Sequence, residues 1–195
     1  MQITTQDIQT LREKLGVGVM DAKRALADAQ GDFTKAENLL RAKGAKSAEK
    51  RASKETNQGC IGSYVHSTGT MAGLVAVACE TDFVARTDQF KQLAHDLALH
   101  VVAAKPKYLK PEDVPQEELA KEEDIWRQQL ANEGKPEKMF DKILEGKRQK
   151  YFQEVCLLQQ LYVKDDSMTI EQVVKEYVAR LGENMRITGF SLLSL

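Results

Sequence analysis

The sequence predicts an α+β protein: a small N-terminal three-helix bundle followed by an α+β core in which a small antiparallel sheet packs on helices. Three observations carry this. The first 43 residues hold three short apolar runs at helical spacing, separated by glycines. Residues 56–79 contain no Asp, Glu, Lys or Arg and are rich in Gly, Val, Ala, Ile and Tyr, a composition that favours strands. After Glu80 the helical spacing returns and persists almost to the end, where a strand-like segment closes the chain.

Within the N-terminal part, Thr5 precedes Ile8, Leu11 and Leu15 at helical spacing, and Gly16-Val17-Gly18 stops that helix. A second run, Val19 to Ala29, puts Ala22, Ala25, Leu26 and Ala29 on one side and ends at Gln30-Gly31. Asp32 is the expected N-cap of the third, which places Phe33, Ala36 and Leu40 on one face with Leu39 beside them. Three helices of about ten residues each bury little surface, so a minimal bundle is expected. From Arg41 to Lys54 there are six basic residues and one acidic residue, with no apolar stripe. This reads as a linker or a solvated helical extension. The lack of interleaved aromatic residues favours a charged tether over an RNA-binding arm. The expected domains are therefore 1–54 and 55–195.

In the core, two strands with a turn near Ser67-Thr68-Gly69-Thr70 account for the uncharged stretch. Consecutive apolar residues from Leu74 to Ala78 predict a central strand covered on both faces. Phe90, Leu93, Leu97 and Val101 then mark a helix reaching Ala104. Pro106, Pro111 and Pro115 interrupt helical structure. Residues 112–124, with seven acids and one Lys, open a helix that runs to Asn132. Pro136 opens the next, continuing towards Leu158. Thr169 and Gly182 bracket a last helix, Ile170 to Leu181, and Arg186 to Leu195 is the closing strand.

Composition excludes several functions. With 28 basic and 29 acidic residues, the net charge of −1 removes the electrostatic warrant for general nucleic-acid binding. The longest apolar run, Leu74 to Cys79, is far shorter than the roughly 20 residues of a membrane span. Neither a basic start nor an apolar stretch follows Met1, so a cytoplasmic location is expected. Cys60, Cys79 and Cys156 are scattered and lack a Cys-x-x-Cys pair, which fits a reducing compartment and no structural zinc.

The inventory for catalysis is thin. His95 and His100 are five apart, off the spacing by which two imidazoles on one helix share a metal, and His66 stands elsewhere. Cys79 lies in an apolar strand near Glu80 and Asp82, surroundings that raise a thiol pKa. No phosphate-binding glycine loop is present, and Gly59-Cys60-Ile61-Gly62-Ser63 does not match the nucleophile elbow. No catalytic residue, metal or cofactor is expected, and the chain reads as a binding protein rather than an enzyme.

The informative stretch is Cys79-Glu80-Thr81-Asp82-Phe83-Val84-Ala85-Arg86, where a buried strand ends and a helix begins. Thr81 or Asp82 caps that helix with Phe83 plugging the core, the reading favoured by spacing alone; the alternative is an exposed wedge pressed into a partner. Thr81-Asp82-Phe83-Val84-Ala85-Arg86 resembles the hallmark of the bacterial elongation factor Ts family, the exchange factors of elongation factor Tu. Leu11-Arg12-Glu13, the run from Gly16 to Leu26, Gly31-Asp32, Tyr64-Val65-His66 and Gly182-Glu183-Asn184 resemble it too, over essentially the whole chain.

The resemblance implies a ubiquitin-associated-like N-terminal domain, a basic linker and an α+β core. It implies that Thr81, Asp82, Phe83 and Val84 insert beside the partner's magnesium and phosphate site. Arg12, Val19 and Met20 would grip the partner's nucleotide domain, with Val19 standing where the family often has methionine. At 195 residues the chain is similar to the short form, whose single core module pairs with another copy, so a homodimer is implied. The implied action is GDP release and exchange for GTP, with no direct contact to nucleic acid or membrane.

Overall fold

The computed structural model describes residues 3–195. Helix α1 (Thr5–Leu15) opens with a capping box in which Thr4 and Asp7 bond each other's backbone N–H, and Gly16 closes it. Helix α2 (Val19–Asp28) follows after Gly18, and α3 (Phe33–Arg51) starts at Asp32, whose carboxylate accepts from Lys35 N–H. Leu11, Ala22, Ala25, Leu26, Ala36 and Leu40 form a small buried cluster among these helices, as the apolar spacing requires. Leu39 is exposed rather than part of it.

Helix α3 is nearly twice the expected length, because the basic stretch from Arg41 to Arg51 is helical and partnered. Arg41 pairs with Glu176 at 3.0 Å, Lys43 with Asp21 at 2.6 Å, and Arg51 approaches Glu80 at 3.6 Å. Ala48 is buried, and a Cβ on Gly44 would come within 3.0 Å of the Ala179 methyl.

Strands β1 (Gln58–Val65) and β2 (Met71–Cys79) form a hairpin whose turn is closed by His66 N–H on Met71 O and Gly69 N–H on His66 O. The short helix α4 (Asp82–Arg86) and the 17-residue helix α5 (Asp88–Ala104) follow, and then a 3-10 turn at Pro111–Asp113. Helices α6 (Gln116–Asn132) and α7 (Phe140–Val155) pack together, tied by Arg148 on Glu123 at 2.6 Å and by Trp126 edge-on to Tyr151. A small hairpin, β3 (Leu161–Tyr162) with β4 (Asp165–Thr169), precedes α8 (Ile170–Leu181) and the final strand β5 (Met185–Ser194).

The main sheet has the order β1-β2-β5, so β2 is central as expected. Its burial corrects the expectation of two covered faces. Gly73, Val75, Val77 and Cys79 are buried, whereas Leu74 on the other face is 44% exposed. Helix α5 packs closely on the hairpin at Gly62, where a Cβ would fall 2.0 Å from Ala94 O; no other residue permits that approach. Phe90, Leu93, Leu97 and Val101 are all buried along this helix.

By compactness the chain divides into two units. One comprises Met1–Cys60, Val77–Phe90 and Gln172–Ile187, and the other Ile61–Ala76, Lys91–Glu171 and Thr188–Leu195.

Candidate partner-binding site

The segment after β2 is built by two threonines. Thr81 has extended backbone and caps α4, its hydroxyl oxygen accepting from Val84 N–H at 3.4 Å. Thr87 ends that helix, bonding Val84 O at 2.8 Å through its hydroxyl, and the same oxygen accepts from Phe90 N–H at the start of α5. Only Ala85 of the five helical residues is buried.

Phe83 is not a core plug. It is 83% exposed, beside a half-buried Val84 and an Asp82 whose carboxylate pairs with Arg86 at 2.9 Å. A capping Thr81 and an exposed Phe83 therefore coexist: Thr81 caps the helix, and Phe83 points away from the core. A large aromatic held in water on a five-residue helix contributes little to folding, since most of its apolar surface remains hydrated.

This helix is held from behind by residues about 100 positions later. Helix α8 ends at Gly182, whose φ of +75° turns the chain sharply in a conformation that favours glycine. The turn presents Glu183 to Thr81: one carboxylate oxygen accepts from Thr81 N–H at 3.0 Å, the other from its hydroxyl at 2.6 Å. Asn184 completes the brace, its N–H donating to Glu80 at 2.5 Å and its side-chain amide to Ala52 O at 3.3 Å and Lys54 O at 2.7 Å. In the sequence Gly182 marks the end of the last helix, and Glu183 and Asn184 stand out only as part of a family match. Nothing in their spacing signals contact with Thr81.

Arg12 lies in the last turn of α1, and Val19 and Met20 open α2 after the Gly16–Gly18 turn, so the three share one end of that helix pair. All three are exposed, Val19 by 53% and Met20 by 67%. Adjacent apolar side chains left in water at a helix start add little to a core and remain available for contact. These residues and Thr81–Val84 belong to the same compact unit.

Cys79 and the three histidines are hydrogen-bonded within the chain. Cys79 donates its thiol to Thr81 O, and burial together with the Glu183 charge pushes its pKa up to about 11. Cys156 is raised to about 11 by burial and by Asp113 and Glu112. His66 bonds the Thr68 hydroxyl, His95 the Ser63 carbonyl, and buried His100 the Gln160 amide at 3.0 Å. Among the described residues no cluster of His, Cys, Asp or Glu could hold a metal ion. No helix there is long and apolar enough to cross a membrane. An open groove of about 710 Å³ along Thr188–Leu192 of β5 carries Lys105, Lys107, Lys110 and Asp113, but no histidine or cysteine.

The model of the family Elongation factor TS matches residues 20–194. The chain belongs to the elongation factor Ts family. It is 49% identical over 195 residues to the Elongation factor Ts of Maridesulfovibrio salexigens, spanning 100% of this chain and 95% of that one. It is 48% identical over 189 residues to that of Solibacter usitatus, covering 97% and 89%. With that of Syntrophus aciditrophicus the identity is 46%, covering 100% and 97%. Membership in the elongation factor Ts family makes this a translation elongation factor, as the sequence motifs implied.

Proposed function

We propose that this chain binds elongation factor Tu in its GDP form and promotes release of GDP and its exchange for GTP, without catalysing a chemical reaction. Thr81, Asp82, Phe83 and Val84 enter beside the partner's magnesium and phosphate site and disturb it. Arg12, Val19 and Met20 grip the partner's nucleotide domain and supply affinity. The single observation that carries this reading is Phe83, 83% exposed on a short helix that is hydrogen-bonded from behind.

The physics is linkage. A factor that binds the nucleotide-free partner more tightly than the nucleotide-bound one must weaken nucleotide binding by the same ratio, and no catalytic group is needed. Asp82 holds no magnesium in this scheme; with Phe83 it displaces the elements that do. The basic face of α3 supports the reading against an RNA-binding arm, because Arg41, Lys43 and Arg51 are engaged with carboxylates of the protein itself.

A division into a partner-binding domain, 1–54, and a core, 55–195, belongs to the same proposal, as does a cytoplasmic homodimer formed through the core. Ile61, Val65 and Leu74, exposed along the uncharged hairpin, and Leu193 of β5 supply apolar area for pairing. The decisive experiment is release of labelled GDP from elongation factor Tu with and without this chain. Faster release is expected, and unchanged release at saturating protein would end the exchange-factor reading. A monomer mass by light scattering at micromolar concentration would end the dimer.

A further inference from the structure

We infer that Glu183 is a positioning residue for the exchange segment: it fixes Thr81, and through Thr81 the direction in which Phe83 is presented. The role in exchange rests on the function proposed above; the positioning itself does not. Helix α4 has five residues, too few to be stable alone. Its own cap bond, from Val84 N–H to the Thr81 oxygen, is long at 3.4 Å. What holds the capping residue is the Glu183 carboxylate, which takes both Thr81 donors, at 3.0 Å and 2.6 Å.

That pairing also settles where the hydroxyl proton goes. A threonine hydroxyl has one donor and two acceptor sites. With its proton committed to Glu183, the Thr81 oxygen can only accept towards Val84, so the carboxylate keeps the cap in working orientation. The arrangement is reciprocal across the two segments, because the side chain of residue 183 holds the backbone of residue 81 while the side chain of Glu80 holds the backbone of Asn184. Each segment fixes the other, and Gly182 sets the turn that makes this possible.

A segment that must enter a partner's site in one orientation loses effectiveness in proportion to the fraction of time it spends elsewhere. Glu183→Ala removes both acceptors, whereas Glu183→Gln keeps the shape and one of them. We expect amide hydrogen exchange over residues 81–86 of the free chain to quicken in the order parent, Gln, Ala. The saturating rate of GDP release from elongation factor Tu should fall in the same order, by about tenfold for Ala. The half-saturating concentration should change less than threefold, since Arg12, Val19 and Met20 are untouched.

A merely structural role would instead lower melting temperature and raise half-saturation together, with no graded recovery in Gln. Parental amide exchange in 81–86, or a parental saturating rate, in the Ala variant would overturn the inference. If Ala does not fold, Gln decides by the same two measurements. If the parent itself fails to release GDP, the exchange reading falls, and amide exchange alone decides whether Glu183 positions the segment.

Discussion

Replacing Asp82 and Phe83 together by alanine separates folding from exchange. Fully burying a phenylalanine side chain contributes about 1.5–3 kcal/mol. Phe83 is 83% exposed, so about one sixth of that, roughly 0.3–0.5 kcal/mol, is at stake in the fold. The Asp82–Arg86 pair is a solvated contact four residues apart, contributing about 0.3–0.5 kcal/mol, and alanine's better helix propensity offsets part of the loss. The double variant should therefore lie within about 1 kcal/mol of the parent, a melting shift below about 4 °C for a chain of this size. Calorimetry checks that figure. Stopped-flow release of labelled GDP then checks function: complex formation should persist, while the saturating exchange rate drops by at least about tenfold, because the contact distinguishing the two partner states is gone. A variant that exchanges normally refutes the wedge. One that loses about 3–5 kcal/mol of stability, as a truncated core phenylalanine would, refutes the exposure argument behind it.

Met20→Asp should weaken binding to elongation factor Tu about tenfold at unchanged melting temperature, since Met20 is 67% exposed; calorimetric titration reads it, and unaltered affinity would remove Met20 from the interface. His100 supplies a pH signature. Burial lowers its pKa, outweighing the raising effect of its bond to Gln160, and Val163 N–H, the Tyr162 ring and the adjacent Asp96–Lys164 pair complete its surroundings. The unfolded chain then takes up a proton below about pH 6.5 that the folded chain refuses, so stability falls as pH drops from there towards the folded pKa, by at most about 1.4 kcal/mol per pH unit. The drop in melting temperature between pH 7.5 and 5.5 should be smaller in His100→Asn than in the parent, and an equal drop would show that His100 does not titrate this way.

Much of the helical framework was legible because its ends are chemically marked. Asp32 caps α3 as expected, and α8 spans Ile170–Leu181 between Thr169 and Gly182. Partners distant in sequence hid the rest. The length of α3 depends on Glu176 and Glu80, which the composition of residues 41–54 cannot reveal. The β3–β4 hairpin escaped notice because it is short and its register shifts between Leu161 and Tyr162, leaving no clean alternation. Periodicity placed Phe83 on a first helical turn, but a helix of five residues has no second turn to say which side is inward. Thr81 and Val84 were therefore readable as motif, while the support of Thr81 by Glu183 was not.

The long third helix carries a constraint on how this chain can change. Along its 19 residues it meets Asp21 through Lys43, Glu176 through Arg41, Ala179 at Gly44 and Glu80 through Arg51. Each residue added to or removed from an α-helix rotates everything beyond it by about 100° and shifts it by about 1.5 Å. A single insertion between Leu40 and Arg51 would thus swing some of these side chains off their partners while leaving the rest in place. Point substitutions along the outer side of α3 are cheap in comparison. The helix behaves as a keyed shaft, tolerant of what is written on its surface and intolerant of any change in its length.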